Sequence, residues 1–365
     1  LLFVLSPGFL MSRVAPALFV ALLVSAACGA PDTPAPVAEA APTEMLAFTD
    51  AAPLVVDEVE ELHEDADGRV WLALYQTPAL LRVAFGETTT TDTLGALGNA
   101  PGQFRMPFAV MDAPGGGVFA LDGVARRLVG FTREGLADSV HAVPDAVDQF
   151  TVRRDTLGAW VSAVNARSRN DSVPLVRLHA EGVDTLARVL VPSATVTIPM
   201  GARSYVAPPE FAPRDLWGVL SDGTVWIARA GTHAVEYHLA SGVRTSGGPR
   251  PFVPVRSTEA DRGTLRGLPA PAAVSASALQ YAPIKGPFIE ARAAQDGSVW
   301  TWRTQAAPAQ EERYTVFRPG VAETFDVTLP VHHRVVGVGA QHVYVAERLE
   351  DGRWRVTRHR RPRGA

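Results

Sequence analysis

One short pattern recurs six times along the chain: a small turn, a β-branched or small residue, then an aromatic residue that opens an apolar run. It reads GRVWLALY at 68–75, GGVFALD at 116–122, GAWVSAV at 158–164, GTVWIAR at 223–229, GSVWTWR at 297–303 and HVYVAER at 342–348. The runs are nearly continuous rather than alternating, as expected of strands covered on both faces. Before each lies another strand candidate: VDEVEELHE, PFAVMDA, DQFTVRR, RDLWGVL, FIEARAA and HRVVGVG. Turns such as DADG, PGGG, SDG and QDG join the two, and such residues between strand-like runs are hairpin signals. Third strands follow (LLRVAF, RLVGFT, LVRLHA, AVEYHL, RYTVFR and RWRVTR), and then more polar outer strands such as TTTDTLGAL, VDTLARVL and ETFDVTLP.

The aromatic markers are Trp71, Phe119, Trp160, Trp226, Trp300 and Tyr344, at intervals of 48, 41, 66, 74 and 44 residues. Three intervals match the length of a propeller repeat, and four strands per repeat is the propeller count. The pattern therefore predicts an all-β fold: a six-bladed β-propeller of four-stranded antiparallel blades over residues 44–361. The last repeat lacks an outer strand, because only RRPRGA follows RWRVTRH. EMLAFTD at 44–50 has the length and polarity to supply it, so N- and C-terminal strands are expected to pair, closing the ring without an open edge. The two long intervals hold insertions near 192–213 and 243–286, which flank the same blade and are placed to meet over one end of the ring. Loops of that length are commonly functional lids or disordered excursions.

Residues 98–135 carry a GxxPGQF lead-in, a proline before the inner strand, a Gly-initiated second strand ending in Asp, and a third strand ending at a turn glycine. This segment resembles an NHL repeat, and the other blades follow it in outline. The resemblance is to six-bladed, NHL-like propeller lipoproteins. It implies binding of proteins, glycans or small molecules, or in some relatives metal-dependent hydrolysis, and a fold shared so widely does not choose among these.

Composition narrows the picture. Of 365 residues 47% are hydrophobic, enough for a core, and 29 prolines with 31 glycines fall short of a disordered composition. A net charge of −4 gives no broad cationic field, so nucleic acid is not an expected partner. Cys28 is the single cysteine, so stability is expected from packing and sheet pairing rather than an internal disulfide. Arg13, the apolar stretch from Val14 to Val24, and Ser25, Ala26 and Ala27 form a secretory signal over 1–28, too short for a spanning helix. Met11 is the better start, with residues 1–10 an over-extended reading frame. SAAC followed by Gly29 resembles the lipobox of bacterial lipoproteins, although Ser25 stands where that pattern prefers leucine. The resemblance implies lipid attachment at Cys28, a membrane contact through that lipid, and a place in the bacterial cell envelope facing the periplasm or exterior. Residues 29–43, rich in Pro and Ala, read as an extended spacer.

Candidate chemistry is sparse. No CxxC, HExxH, Walker loop or GxSxG elbow occurs, which weighs against an enzyme without excluding one. The densest carboxylate run, DEVEELHEDAD at 57–67, offers Glu58, Glu60 or His63 to the channel, and the other inner strands offer Asp148, Asp215 and Glu290. A lactonase-like hydrolase would gather such groups around calcium or another divalent cation, with Glu60 and Glu290 as ligands; a solvated acidic edge is the plainer reading. His332 and His333 are adjacent, so in a regular strand they point to opposite faces and do not chelate one ion together. Arg154, Arg214, Arg292 and Arg334 lie where a guanidinium fork reaches an anionic group. Lys285, the sole lysine, sits just before the fifth inner strand and is a candidate ligand-facing ammonium. The expectation is an exported, lipid-anchored monomer without a cofactor or catalytic residue. It would bind a protein, glycan or small molecule at the channel mouth beneath the 243–286 insertion, through Arg214, Lys285, Glu290, Arg292 and Arg334.

Overall fold

Each repeat folds into one sheet, and six such sheets close into a propeller. The computed structural model describes residues 43–49, 51–74, 76–148, 151–164, 172–192, 196–200, 203–239, 241–261 and 280–362. Cys28, the signal-like segment and the spacer up to residue 42 lie outside these, as do residues 262–279 of the second insertion.

The inner strands are Leu62–Glu64, Pro107–Asp112, Arg153–Arg154, Leu216–Val219, Phe288–Ala293 and His333–Val338. Each pairs antiparallel with its marker strand: Val70–Leu74, Val118–Asp122, Trp160–Ala163, Val225–Arg229, Val299–Arg303 and His342–Arg348. Third and outer strands complete the first five blades, for example Ala79–Ala84 with Thr90–Leu94 and Glu311–Arg318 with Val321–Pro330. The turns between inner and marker strands demand positive φ, which Gly223 (80°) and Gly297 (84°) adopt without steric cost.

The sixth blade takes its outer strand from the N-terminal segment, so the ring closes as the sequence predicts. Ala47–Phe48 pairs with His359 and Arg360, and Leu54–Val56 pairs with Trp354–Val356. Two details differ from the expected single strand over 44–50. The strand extends to Val56, leaving only Leu62–Glu64 as the first inner strand. Its leading piece, Thr43–Met45, crosses to the fifth blade and runs parallel to Asp326–Thr328.

The core lies between neighbouring blades. Trp71 joins Phe104 and Phe131 between the first two blades, Trp226 packs with Tyr237 and Phe317 between the fourth and fifth, and Trp300 packs with Val335 and Val345 between the fifth and sixth. Burying each such ring contributes up to about 3 kcal/mol. Trp160 alone among the markers is only half-buried; it opens its strand, and the Arg154 guanidinium lies 5.4 Å from its ring.

The turn before the second inner strand shows why the GxxPGQF lead-in has that sequence. Phe104 inserts fully into the core, and Gln103 folds back to accept the Ala100 N–H at 3.1 Å. Asp122 then accepts the N–H groups of Arg105 (2.8 Å) and Met106 (3.1 Å), fixing where the inner strand begins. Glu58 accepts the Gln76 N–H (3.0 Å), Asp215 accepts those of Leu190 (3.0 Å) and Ala230 (2.9 Å), and Glu312 accepts that of His332 (3.2 Å). Several acidic residues of the blade ends thus satisfy backbone donors that would otherwise be stranded.

In a four-stranded antiparallel blade the outer strand finishes at the end of the ring where the next inner strand begins. Both insertions leave an outer strand and lead into an inner one, so both lie at that end. They meet there: Glu210 N–H donates to Gln280 O (2.7 Å), Ala282 N–H to Glu210 O (2.9 Å), and the Phe211 and Tyr281 rings lie 6.0 Å apart. The first carries a short hairpin, Val196–Met200 with Arg203–Ala207, and in the second Val255–Arg256 pairs antiparallel with Ile284–Lys285.

Candidate functional site

The inner strands enclose a cavity of about 520 Å³, with walls supplied by all six blades. Glu60, Glu61, Thr151, Arg214 and Glu290 line its mouth, at the end where the inner strands start; Arg153, His63 and Asp112 lie deeper, and Trp217, Leu216, Ile289 and Pro208 supply apolar surface.

One wall, from the fifth, sixth and first blades, is internally paired. Glu290 joins two guanidiniums, Arg292 at 3.0 Å and Arg334 at 3.6 Å. Arg292 also donates to Val335 O (3.0 Å) and Glu60 O (2.7 Å) and lies 3.7 Å from Glu61. Arg334 is buried, donates to Val59 O and stands 4.7 Å over the Trp354 ring. Burial lowers the Arg334 pKa from its ordinary value, with Glu290 opposing. For Arg292 burial also pulls downward, but Glu290 and Glu61 outweigh it and the pKa lies above its ordinary value. Glu60 is exposed to channel water yet enclosed by protein, and this desolvation raises its carboxyl pKa against the pull of Arg292. Its carboxylate makes no hydrogen bond among the described residues.

The other wall, from the third and fourth blades, is open. Arg153 is half-buried and donates only to the carbonyls of Thr151 (3.2 Å) and Val152 (3.1 Å) among the described residues. Arg214 is exposed and makes no hydrogen bond or ion pair among them. Glu210 lies within the influence of the Arg214 charge, but burial outweighs that charge and raises the Glu210 pKa.

Between the walls His63 from the first blade and Asp112 from the second form a 2.9 Å pair. Burial lowers the His63 pKa, while the hydrogen bond and charge of Asp112 more than offset it, so the net direction is upward.

The sequence-predicted residues fall into three groups. Glu60, Glu290, Arg292 and Arg214 line the cavity, and Arg334 reaches it through Glu290. Lys285 does not face a ligand: it is buried, paired with Asp261, donates to Gln305 O (2.6 Å) and lies 5.0 Å over the Phe211 ring. The lone lysine therefore ties the two ends of the second insertion to each other and to the fifth blade, and touches the first insertion through the Phe211 ring, because an ammonium in an interior position requires a counter-charge and acceptors. Asp148 and Arg154 do not line the cavity, and Asp215, which does, is taken up by Leu190, Arg229 and Ala230. His332 and His333 also lie outside it, with His333 3.1 Å from Glu347. The described residues of the second insertion supply no cavity wall; Pro192 and Pro208 of the first stand there instead.

Arg153, Trp217 and Asp112 were not legible as site residues. For Arg153 a signal existed. Arg154 pairs with the marker Trp160 and shares its face toward the second blade, so alternation turns Arg153 to the opposite face, on the side of the fourth blade, where it lines the cavity. As to a divalent cation, both carboxylate oxygens of Glu290 already face arginines, and among the described residues no group of three His, Cys, Asp or Glu is placed to hold a metal ion.

No family model matches the chain, and no curated protein matches it. Solved structures do. A protein of Bacteroides fragilis whose name describes it as exported is 8% identical, with a TM-score of 0.51, over 88% of this chain and 99% of its own. A streptogramin B lyase is 9% identical (TM-score 0.40; 87% and 88% covered), and a calcium-binding regucalcin of Agrobacterium tumefaciens is 12% identical (TM-score 0.40; 88% and 98% covered). The first likeness supports the six-bladed fold and nothing finer.

Proposed function

We propose that this chain is an exported, lipid-anchored propeller that binds a small molecule or peptide at the mouth of its channel. The observation that carries the binding reading is the cavity of about 520 Å³ whose third- and fourth-blade wall presents two cations without a carboxylate partner among the described residues. Cavities of this size with a few convergent polar groups on a rigid scaffold are the usual form of a ligand site. Export is supported by the signal-like segment and by the described export of the Bacteroides fragilis neighbour, and anchoring by Cys28 in its lipobox-like setting. The NHL likeness of residues 98–135 rests on those residues alone.

The hydrolase reading has less support, because a cation at Glu290 would have to displace two guanidiniums from it. Thr151, exposed at the mouth, gives a direct test. Thr151→Trp plugs the opening without touching the core, and should abolish the thermal stabilisation that the wild type gains from an envelope small-molecule extract. Equal stabilisation of both proteins would contradict a channel site. For the anchor, Cys28→Ala should move the protein from the membrane to the soluble fraction; a wild type already soluble would contradict it.

A further inference from the structure

The two walls of the mouth differ in sign, and their arrangement constrains the ligand. In a ring of six blades the first and fourth stand opposite one another, so Glu60 and Arg214, which both precede their inner strands, face each other across the opening. Arg153 lines the same cavity from the neighbouring third blade, deeper than Arg214 and at the level of His63, with its guanidinium turned back to Thr151 O. The remaining charges are matched: Glu290 and Glu61 to Arg292 and Arg334, Asp215 to Arg229, and Asp112 to His63. A simple anion entering this space meets Glu60, and a simple cation meets Arg153 and Arg214. Within a concave low-dielectric mouth such like-charge encounters are costly. Between the poles lie Trp217, Leu216, Ile289 and Pro208, which favour an apolar body.

From this opposition we infer that the site takes a zwitterionic ligand with an apolar middle, of the kind represented by a short unblocked peptide: its carboxylate toward Arg214 and Arg153, its ammonium toward Glu60. This inference rests on the channel-mouth reading above and specifies its ligand class. A guanidinium fork suits a carboxylate, and a carboxylate without a hydrogen-bond partner suits an ammonium. A cavity of about 520 Å³ accommodates a ligand of tripeptide size.

The test is calorimetric titration of the tripeptide Ala-Leu-Ala in unblocked, N-acetylated, C-amidated and doubly blocked forms. The unblocked form should bind, and each single block should weaken it at least about tenfold, the effect of losing one charged hydrogen bond. Arg214→Ala should weaken the unblocked peptide by a similar factor and remove the response to amidation, and Glu60→Gln should remove the response to acetylation. Both variants alter mouth residues without a side-chain hydrogen-bond partner among the described residues, so their melting temperatures should match the wild type. Equal affinity for blocked and unblocked peptides, or loss of affinity that does not separate by terminus in the two variants, would overturn the inference. Absence of binding by all four peptides would overturn it too. If a charge-neutral envelope compound then binds and Thr151→Trp blocks it, the channel-mouth reading stands without the zwitterion; if nothing binds, both fall.

Discussion

The two walls of the channel are built from the same kinds of residue and do different work. On the side of the fifth, sixth and first blades, Arg334 is buried and Arg292 half-buried, both held to Glu290 and donating to backbone carbonyls. On the side of the third and fourth, Arg153 and Arg214 face the same space without a carboxylate partner among the described residues. Arginine on an inner strand is therefore not one signal but two, and its meaning depends on whether an adjacent blade supplies an acid. In the first region the guanidiniums hold blades together, and in the second they remain available to solvent or a ligand.

That contrast makes unequal predictions. Arg292→Ala leaves Glu290 without its nearer partner and strands Val335 O, and should cost up to about 3 kcal/mol in chemical denaturation, the cost of losing charged hydrogen bonds from a half-buried pair. A cost below 1 kcal/mol would move Arg292 into the open group. Lys285→Met should cost about 3 kcal/mol by leaving Asp261 buried and charged, whereas Lys285→Met with Asp261→Leu should recover most of it. A double variant no better than the single one would contradict a purely structural clasp.

Acid sensitivity sharpens the comparison from the interior. Burial lowers the His233 pKa to about 3, helped by Arg303 and Arg250, and burial lowers that of His359 to about 4. Both are neutral in the folded protein at neutral pH and take up protons near pH 6.5 when unfolded, so stability should fall as pH drops from about 6.5 toward about 4. His233→Asn, an exchange suited to its positive φ of 45°, should flatten part of that slope; an unchanged slope would remove His233 from the account. Smallest of all, Arg214→Ala should shift unfolding by no more than about 0.5 kcal/mol, as for a surface side chain without partners.

How much was legible follows from which forces leave a pattern. The six markers reveal the blades because burial on both faces imposes runs such as VWLAL and VWTWR. The missing sixth outer strand exposed the closure, since an unpaired edge is a liability. Pairing across blades leaves no such trace. Nothing near Lys285 announces Asp261, and nothing near His63 announces Asp112, 49 residues away. Face was misjudged at RR, where a one-residue difference turns Arg154 onto Phe119 and Trp160 and leaves Arg153 in the channel. Acidic residues such as Asp215 resembled ligands in the sequence because a carboxylate that accepts backbone N–H groups has no distinct signature there.

Arginine footprinting tests the division of the channel most directly. Treatment of the folded protein with phenylglyoxal, followed by peptide mass spectrometry, reads the reactivity of each guanidinium. Rapid modification of Arg153 and Arg214 with protection of Arg292 and Arg334 is the predicted result. Comparable rates at all four, or protection of Arg214 in the ligand-free protein, would contradict an open wall facing a closed one.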